Sequence, residues 1–134
     1  EVITPEEAAF LVGLPPKQTK NPKIDHPVID KIRGKIASLV DADWGAPSYT
    51  RLERRVNRPH KWHKDTGSKN HMLWCRYGAS ILLTDNPKAG YLEYRDGYKL
   101  TAPEHFCGLA IHSSDVEHRT VHKGERITYL TFLQ

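Results

Sequence analysis

The spacing of apolar positions changes once along this chain, after Trp44-Gly45-Ala46-Pro47. Upstream it is helical. Val28, Ile29, Ile32, Ile36, Leu39 and Val40 share one apolar face, and Asp25 stands where a cap would start that helix. A shorter helix precedes it. Thr4 can cap, Pro5 fits a first turn and Glu7 can complete a capping box. Ala8, Phe10, Leu11 and Val12 follow, and Gly13 ends the run. Residues 14–24, rich in proline and lysine, read as a surface loop.

Downstream the segments are short and β-rich. Strands are predicted near 48–56, 72–77, 79–84, 91–95, 98–101, 107–112, 116–121 and 125–133. Asp85-Asn86-Pro87, Asp96-Gly97 and Lys123-Gly124 separate several of them, and Tyr94 to Tyr98 is a hairpin candidate. Two helices followed by a series of short strands predict an α+β fold. Its core would be a double-stranded β-helix, or jelly roll, braced on the outside by the two N-terminal helices. The 134 residues suit one domain, with 1–45 as the helical brace and 46–134 as the jelly-roll core. A hydrophobic fraction of 38% fits a thin sandwich better than a thick multilayer protein.

Composition narrows the function classes. No apolar run approaches the roughly 20 residues of a membrane span. The first residues lack the basic-then-apolar pattern of a secretory signal. Cys75 and Cys107 are too few for a disulfide scaffold or a thiolate zinc site, and are expected reduced within strands. A cytoplasmic location follows as the expectation. The net charge of +4 favours acidic or polyanionic partners, although many ordinary enzymes share it.

Candidate chemistry begins with His63-Lys64-Asp65. Residues i and i+2 of a strand face the same side, so this pair aims an imidazole and a carboxylate at one point. A third ligand from a distant strand would complete the two-histidine, one-carboxylate face of a non-haem iron(II) site. Three histidines compete for that place. His112 follows the apolar run Gly108 to Ile111 and reads as a core or rim residue. His122, beside Lys123-Gly124, reads as a solvated turn residue. His118 precedes Arg126 by an even spacing, so a tight turn between their strands lets both point inward; it is the preferred third ligand. Arg126, Thr128 and Leu130 share one face of the last strand. A buried arginine needs an anion, and its fork fits a carboxylate; Thr128 can add a hydroxyl. A dicarboxylate co-substrate such as 2-oxoglutarate would meet both needs.

Five features in order carry a family resemblance: His63-Lys64-Asp65; the strand Ala79 to Thr84; Ala89-Gly90-Tyr91-Leu92-Glu93; Leu109 through His118; and Gly124-Glu125-Arg126-Ile127-Thr128. Through them residues 49–134 resemble the 2-oxoglutarate and iron(II)-dependent oxygenase superfamily, especially its prolyl-hydroxylase-like branch. The resemblance implies His63, Asp65 and His118 as iron ligands, and Arg126 aided by Thr128 as the 2-oxoglutarate anchor. It implies hydroxylation of an aliphatic carbon in a peptidyl residue, prolyl first, or in an amino acid, with ascorbate admitted as an accessory reductant. The chain departs from the family pattern in places. Ala89 stands for the first glycine of the family's Gly-Gly corner, the link from His118 to Arg126 is short, and Tyr49 is the distant candidate for the tyrosine that usually precedes the metal pair. Asp65 argues against the related halogenases, which carry a small residue there. Phe132 stands where nucleic-acid repair relatives carry a second arginine.

Two rival readings remain: an oxygenase acting on nucleic acid, and a non-enzymatic jelly-roll binding module. The basic residues Arg51, Arg54, Arg55, Arg58, Lys61 and Lys64 bear on the first. They read either as a solvated face or as a rim attracting an acidic peptide or a phosphate backbone. Trp62 either lines the cleft or packs, and Trp74 is expected to pack within an apolar strand.

Overall fold

The computed structural model describes residues 2–14, 27–40, 48–65 and 73–134, the side chains of Ser48 and Tyr49 excepted. The proposed cap Asp25, the loop from residue 15 to 24, the segment Trp44 to Pro47, the side chain of Tyr49 and residue 72 lie outside this set.

Helix α1 spans Pro5–Gly13 and starts as its sequence dictates. Thr4 Oγ1 accepts from the Glu7 backbone N–H at 3.1 Å, and Glu7 Oε1 accepts from the Thr4 N–H at 3.0 Å. Helix α2 spans Pro27–Leu39 and buries Ile29, Ile32, Ile36 and Ala37. Seven strands follow among the described residues: β1 (Ser48–Val56), β2 (Tyr77–Leu82), β3 (Tyr91–Tyr94), β4 (Lys99–Thr101), β5 (Leu109–Ser113), β6 (His118–Val121) and β7 (Glu125–Leu133). They form two antiparallel sheets, ordered β1-β7-β2-β5 and β4-β3-β6. The architecture is the expected α+β double-stranded β-helix with two helices on its outside.

Some local expectations fail. Residues 73–76 form a turn and an irregular segment, so Trp74 does not lie on a strand. Cys75 and Cys107 are buried just outside strands, one ahead of β2 and the other after a short helix, α3 (Ala102–His105). Neither α3 nor the 3-10 turn Pro87–Ala89 was legible, because each is only one turn long. The hairpin joining β3 to β4 does form, with Gly97 at φ 98° supplying the left-handed position.

The main hydrophobic core lies between the helices and the outer face of the four-stranded sheet. Ile3, Leu11, Ile29, Ile32 and Ile36 pack there with Ala79, Ile81, Leu83, Ile127, Tyr129 and Leu133. Polar contacts fix the seat of α2. The Tyr129 hydroxyl donates to the Ile29 carbonyl at 2.9 Å, and Arg33 Nε donates to Thr50 Oγ1 at 2.8 Å. Because side chains alternate along a strand, the other face of the same sheet carries a different set. On β7 that set is Arg126, Thr128, Leu130 and Phe132. On β1 it is Arg51, Glu53 and Arg55, opposite Leu130, Thr128 and Arg126. On β2 it is Gly78, Ser80 and Leu82, opposite Phe132, Leu130 and Thr128. The apolar helix seat thus leaves the inner face free for chemistry.

Candidate metal centre

The inner face of the four-stranded sheet lines a pocket bounded across the sandwich by the second sheet. Residues 60–63 run along β6 and extend that second sheet. His63 and His118 exchange backbone hydrogen bonds, each at 3.0 Å, and Thr120 N–H donates to the His60 carbonyl at 3.2 Å. This pairing sets His63 beside His118. Asp65, two residues on, is anchored by its own N–H, which donates to the Ser114 carbonyl at 3.1 Å.

The structure brings His63, Asp65 and His118 together: one donor atom from each lies within 4.8 Å of the others. Asp65 Oδ1 and His118 Nε2 are 3.3 Å apart. Donors about 2.1 Å from a common ion and at right angles would be about 3 Å apart, so this pair suits adjacent positions on one ion. The tautomers also fit. His63 Nδ1 donates to the Lys61 carbonyl at 2.7 Å, and His118 Nδ1 donates to the Val116 carbonyl at 2.9 Å. With Nδ1 protonated, each neutral ring presents a bare Nε2 to the cluster, the arrangement a metal-binding histidine needs.

The electrostatics favour a cation here. Burial pushes the His63 imidazole down, disfavouring its charged form. At His118 burial also disfavours charge, but the Asp65 carboxylate outweighs it and raises the imidazole above its usual value. Burial likewise opposes ionisation of Asp65, yet hydrogen bonds and charge from His112 and His118 hold its carboxyl well below the usual range. Asp65 is therefore ionised and 8% exposed, with two imidazoles against it.

Further along the inner face stands Arg126, 4% exposed. One terminal nitrogen donates to the Ala89 carbonyl at 2.6 Å and the other faces His105 Nδ1 at 3.4 Å, while its buried Nε has no partner. Burial lowers the guanidinium to about 10, against the charge of Glu53, so it remains a cation. Thr128, also buried, lies beside it on the same face of β7. A buried cation with an unmet N–H, next to a hydroxyl, is a site for a carboxylate.

Several residues were misjudged or missed from sequence. His122, expected to be solvated, is 7% exposed, with Nδ1 donating to the Gly124 carbonyl at 3.2 Å. Gly124, at φ 77°, makes the left-handed turn that brings its carbonyl to that ring. His112 lies outside the three-donor set but donates from Nε2 to Asp65 Oδ2 at 2.7 Å. The basic residues do not form one rim. Arg51 and Arg55 face into the pocket, whereas Arg54 points the other way and pairs with Glu125. Trp62 stays outside the pocket, with the guanidinium groups of Arg95 and Arg119 at 4.4 and 4.8 Å from its ring. Glu53, ten residues before His63, gave no sequence signal. Its carboxylate lines the pocket, accepts from His60 Nε2 at 2.5 Å and pairs with Arg51.

His105, fully buried against Arg126, carries a pH prediction. Burial, aided by the Arg126 charge, pushes its imidazole down to about 4 from an ordinary 6.5. Nε2–H donates to the Ser80 carbonyl at 3.1 Å and Nδ1 faces the guanidinium, as a neutral ring requires. Above pH 6.5 it is neutral in both folded and unfolded chains. As pH falls toward 4 the unfolded chain gains a proton that the native one refuses, so stability declines, by up to about 3 kcal/mol. The urea midpoint of His105→Gln should therefore vary less across this window than that of the parent. Equal slopes would show that His105 titrates alike in both states.

The backbone has close parallels of known structure. A Pseudomonas putida prolyl-4-hydroxylase matches with a TM-score of 0.67 at 12% identity, over 99% of this chain and 88% of that one. The viral collagen prolyl hydroxylase of Paramecium Bursaria Chlorella virus-1, solved as a 2OG complex, matches with 0.68 at 16% identity, over 98% and 91%. AviO1 of Streptomyces viridochromogenes matches with 0.57 at 17% identity, over 99% and 86%. No protein-family model matches the chain, and no curated protein matches it. These likenesses show that the chain has the prolyl-hydroxylase-like fold.

Proposed function

We propose that this protein is an iron(II)- and 2-oxoglutarate-dependent oxygenase that hydroxylates an aliphatic carbon, in a peptidyl residue, prolyl first, or in an amino acid. One observation carries the reading. A three-donor face and a buried arginine with an unmet N–H line the same pocket of a prolyl-hydroxylase-like fold.

His63 and His118, through Nε2, and Asp65, through its carboxylate, would hold iron(II). Such an ion, when bound, supplies the activation of oxygen. The protein does the rest. Backbone carbonyls of Lys61 and Val116 fix both imidazoles. Arg126 and Thr128 orient the far carboxylate of 2-oxoglutarate, and Leu92, Leu130 and Phe132 give the pocket apolar walls that exclude water. Residues 1–134 act as one oxygenase unit, with the helices as brace. Ascorbate is an accessory reductant, and the reducing cytoplasm suits two buried cysteines. Among the described residues no helix is long and apolar enough to cross a membrane.

The test starts anaerobically. Iron(II) plus 2-oxoglutarate should give a weak visible charge-transfer band. Succinate release is then followed with proline-containing peptides, free amino acids and oligonucleotides, and mass spectrometry should find one added oxygen on a peptide or amino acid. No band and no succinate would leave a non-enzymatic module. Succinate with oligonucleotides alone would keep the chemistry and replace the substrate.

Exposed charge near His63 in sequence makes a further prediction. Arg58, Lys61 and Lys64 are exposed close to His63 in sequence. Neutralising all three should weaken a peptide with acidic flanks more than a neutral one. The gap should close as salt rises, since exposed charges are screened beyond about 10 Å at 0.1 M. A gap that ignores salt would place peptide selection elsewhere.

A further inference from the structure

Asp65 sits in a slot that the metal reading alone does not require. Gly78, on β2, lies directly across from His112 on β5 and Phe132 on β7. A Cβ at Gly78 would come within 1.7 Å of Asp65 Oδ2, 2.8 Å of its Cγ and 3.0 Å of His112 Nε2. The carboxylate therefore rests on the sheet where a side chain is missing. Only glycine leaves that space.

His112 closes one side of the slot. An ionised carboxylate can only accept, so His112 Nε2 carries the proton in its 2.7 Å bond to Oδ2. On its other side the ring turns Nδ1 to the Tyr94 hydroxyl, from β3 in the opposite sheet, at 3.0 Å. The chain of bonds runs Tyr94 to His112 to Asp65 and crosses the sandwich. It occupies Oδ2 and turns Oδ1 toward His118, 3.3 Å away.

We propose that Gly78, His112 and Tyr94 form a carboxylate slot that presents one oxygen of Asp65 to the metal face, with His112 and Tyr94 as positioning residues. The proposal rests on the metal reading above. It assigns His112 a part in metal binding that its place beside an apolar run did not reveal. Without the slot the carboxylate could rotate, or offer both oxygens, and the third donor would lose its fixed direction.

Cobalt(II) binding to the apo protein tests this without turnover, by calorimetry and by the visible cobalt spectrum. His112→Leu should bind cobalt(II) about 10- to 100-fold more weakly, as loss of an outer-shell partner typically does. His112→Gln, which keeps an N–H, should recover part of that loss. Gly78→Ala should weaken binding at least as much, because its methyl group evicts the carboxylate. Tyr94→Phe should cost about 2- to 10-fold, the worth of one hydrogen bond, and should cost nothing more in the His112→Leu background, since it acts through His112. The cobalt spectrum should shift in each variant.

If the parent protein binds no cobalt(II), the metal reading falls and the slot with it. If the parent binds and His63→Ala abolishes binding, but His112→Leu and Gly78→Ala bind like the parent, the slot alone is overturned. It is overturned equally if these variants melt earlier yet keep full cobalt affinity, since that marks a purely structural role. Should His112→Leu fail to fold, Gly78→Ala and Tyr94→Phe decide.

Discussion

Asp65→Ala should abolish both divalent-metal binding and succinate release in a chain that still folds. The carboxylate is the only anion in the three-donor set, and both its oxygens are engaged: Oδ2 by His112, Oδ1 beside His118. Its removal leaves two neutral imidazoles, which hold a hard divalent ion poorly. The loss should exceed the 10- to 100-fold typical of an outer-shell partner, since a donor itself is gone. His63→Ala and His118→Ala should behave alike, because each removes a bare Nε2 whose direction the backbone has fixed. His122→Ala is the control. That ring is buried elsewhere and belongs to no donor set among the described residues, so metal affinity should hold. Circular dichroism and a melting curve establish that each variant is folded. Full metal affinity in His118→Ala would refute the proposed third ligand.

Arg126→Ala should raise the Michaelis constant for 2-oxoglutarate by about 30- to 150-fold with metal affinity nearly unchanged. A charge-assisted contact to a carboxylate in a semi-buried pocket contributes roughly 2–3 kcal/mol. The ligand face is made by other residues, so the two effects should separate. Arg126→Lys should recover only a part. An ammonium cannot present two parallel N–H groups, and it would also have to satisfy the Ala89 carbonyl that a terminal guanidinium nitrogen now meets. An unaltered Michaelis constant in Arg126→Ala would remove 2-oxoglutarate from this end of the pocket.

What was legible in the sequence follows from the range of the interactions involved. The capping box at Thr4 and Glu7, the period-2 pattern of β7 and the Ile29, Ile32 and Ile36 stripe of α2 are local, and they read correctly, whereas Leu39, expected on the same apolar face, is 65% exposed at the helix end. The H-x-D pair ends in one cluster with His118, although Asp65 lies in a bend and not on the strand that its spacing presumed. His118 could be preferred by parity with Arg126. The slot around Asp65 was not legible. It joins Gly78, Tyr94 and His112 from three strands in two sheets, and no spacing links a glycine at 78 to an aspartate at 65. The burial of His122 was missed for a related reason. A histidine beside Lys-Gly is solvated in most turns, and only the long-range packing of β6 and β7 decides otherwise. The basic run misled because sequence shows that charges are adjacent, not that alternate residues of β1 face opposite ways.

The division of labour across β7 governs which mutations the chain can survive. Ile127, Tyr129, Thr131 and Leu133 face the helices, while Arg126, Thr128, Leu130 and Phe132 face the pocket. Either set can be altered residue by residue at a local cost. The number of residues cannot. Deleting one between Gly124 and Tyr129 would slide the strand by one place and turn its downstream faces over. Odd-numbered apolar groups would enter the pocket and pocket residues would meet α2, so core and site would be lost together. Insertions and deletions should be tolerated in the loops but excluded from this strand, even where every single substitution in it is permitted.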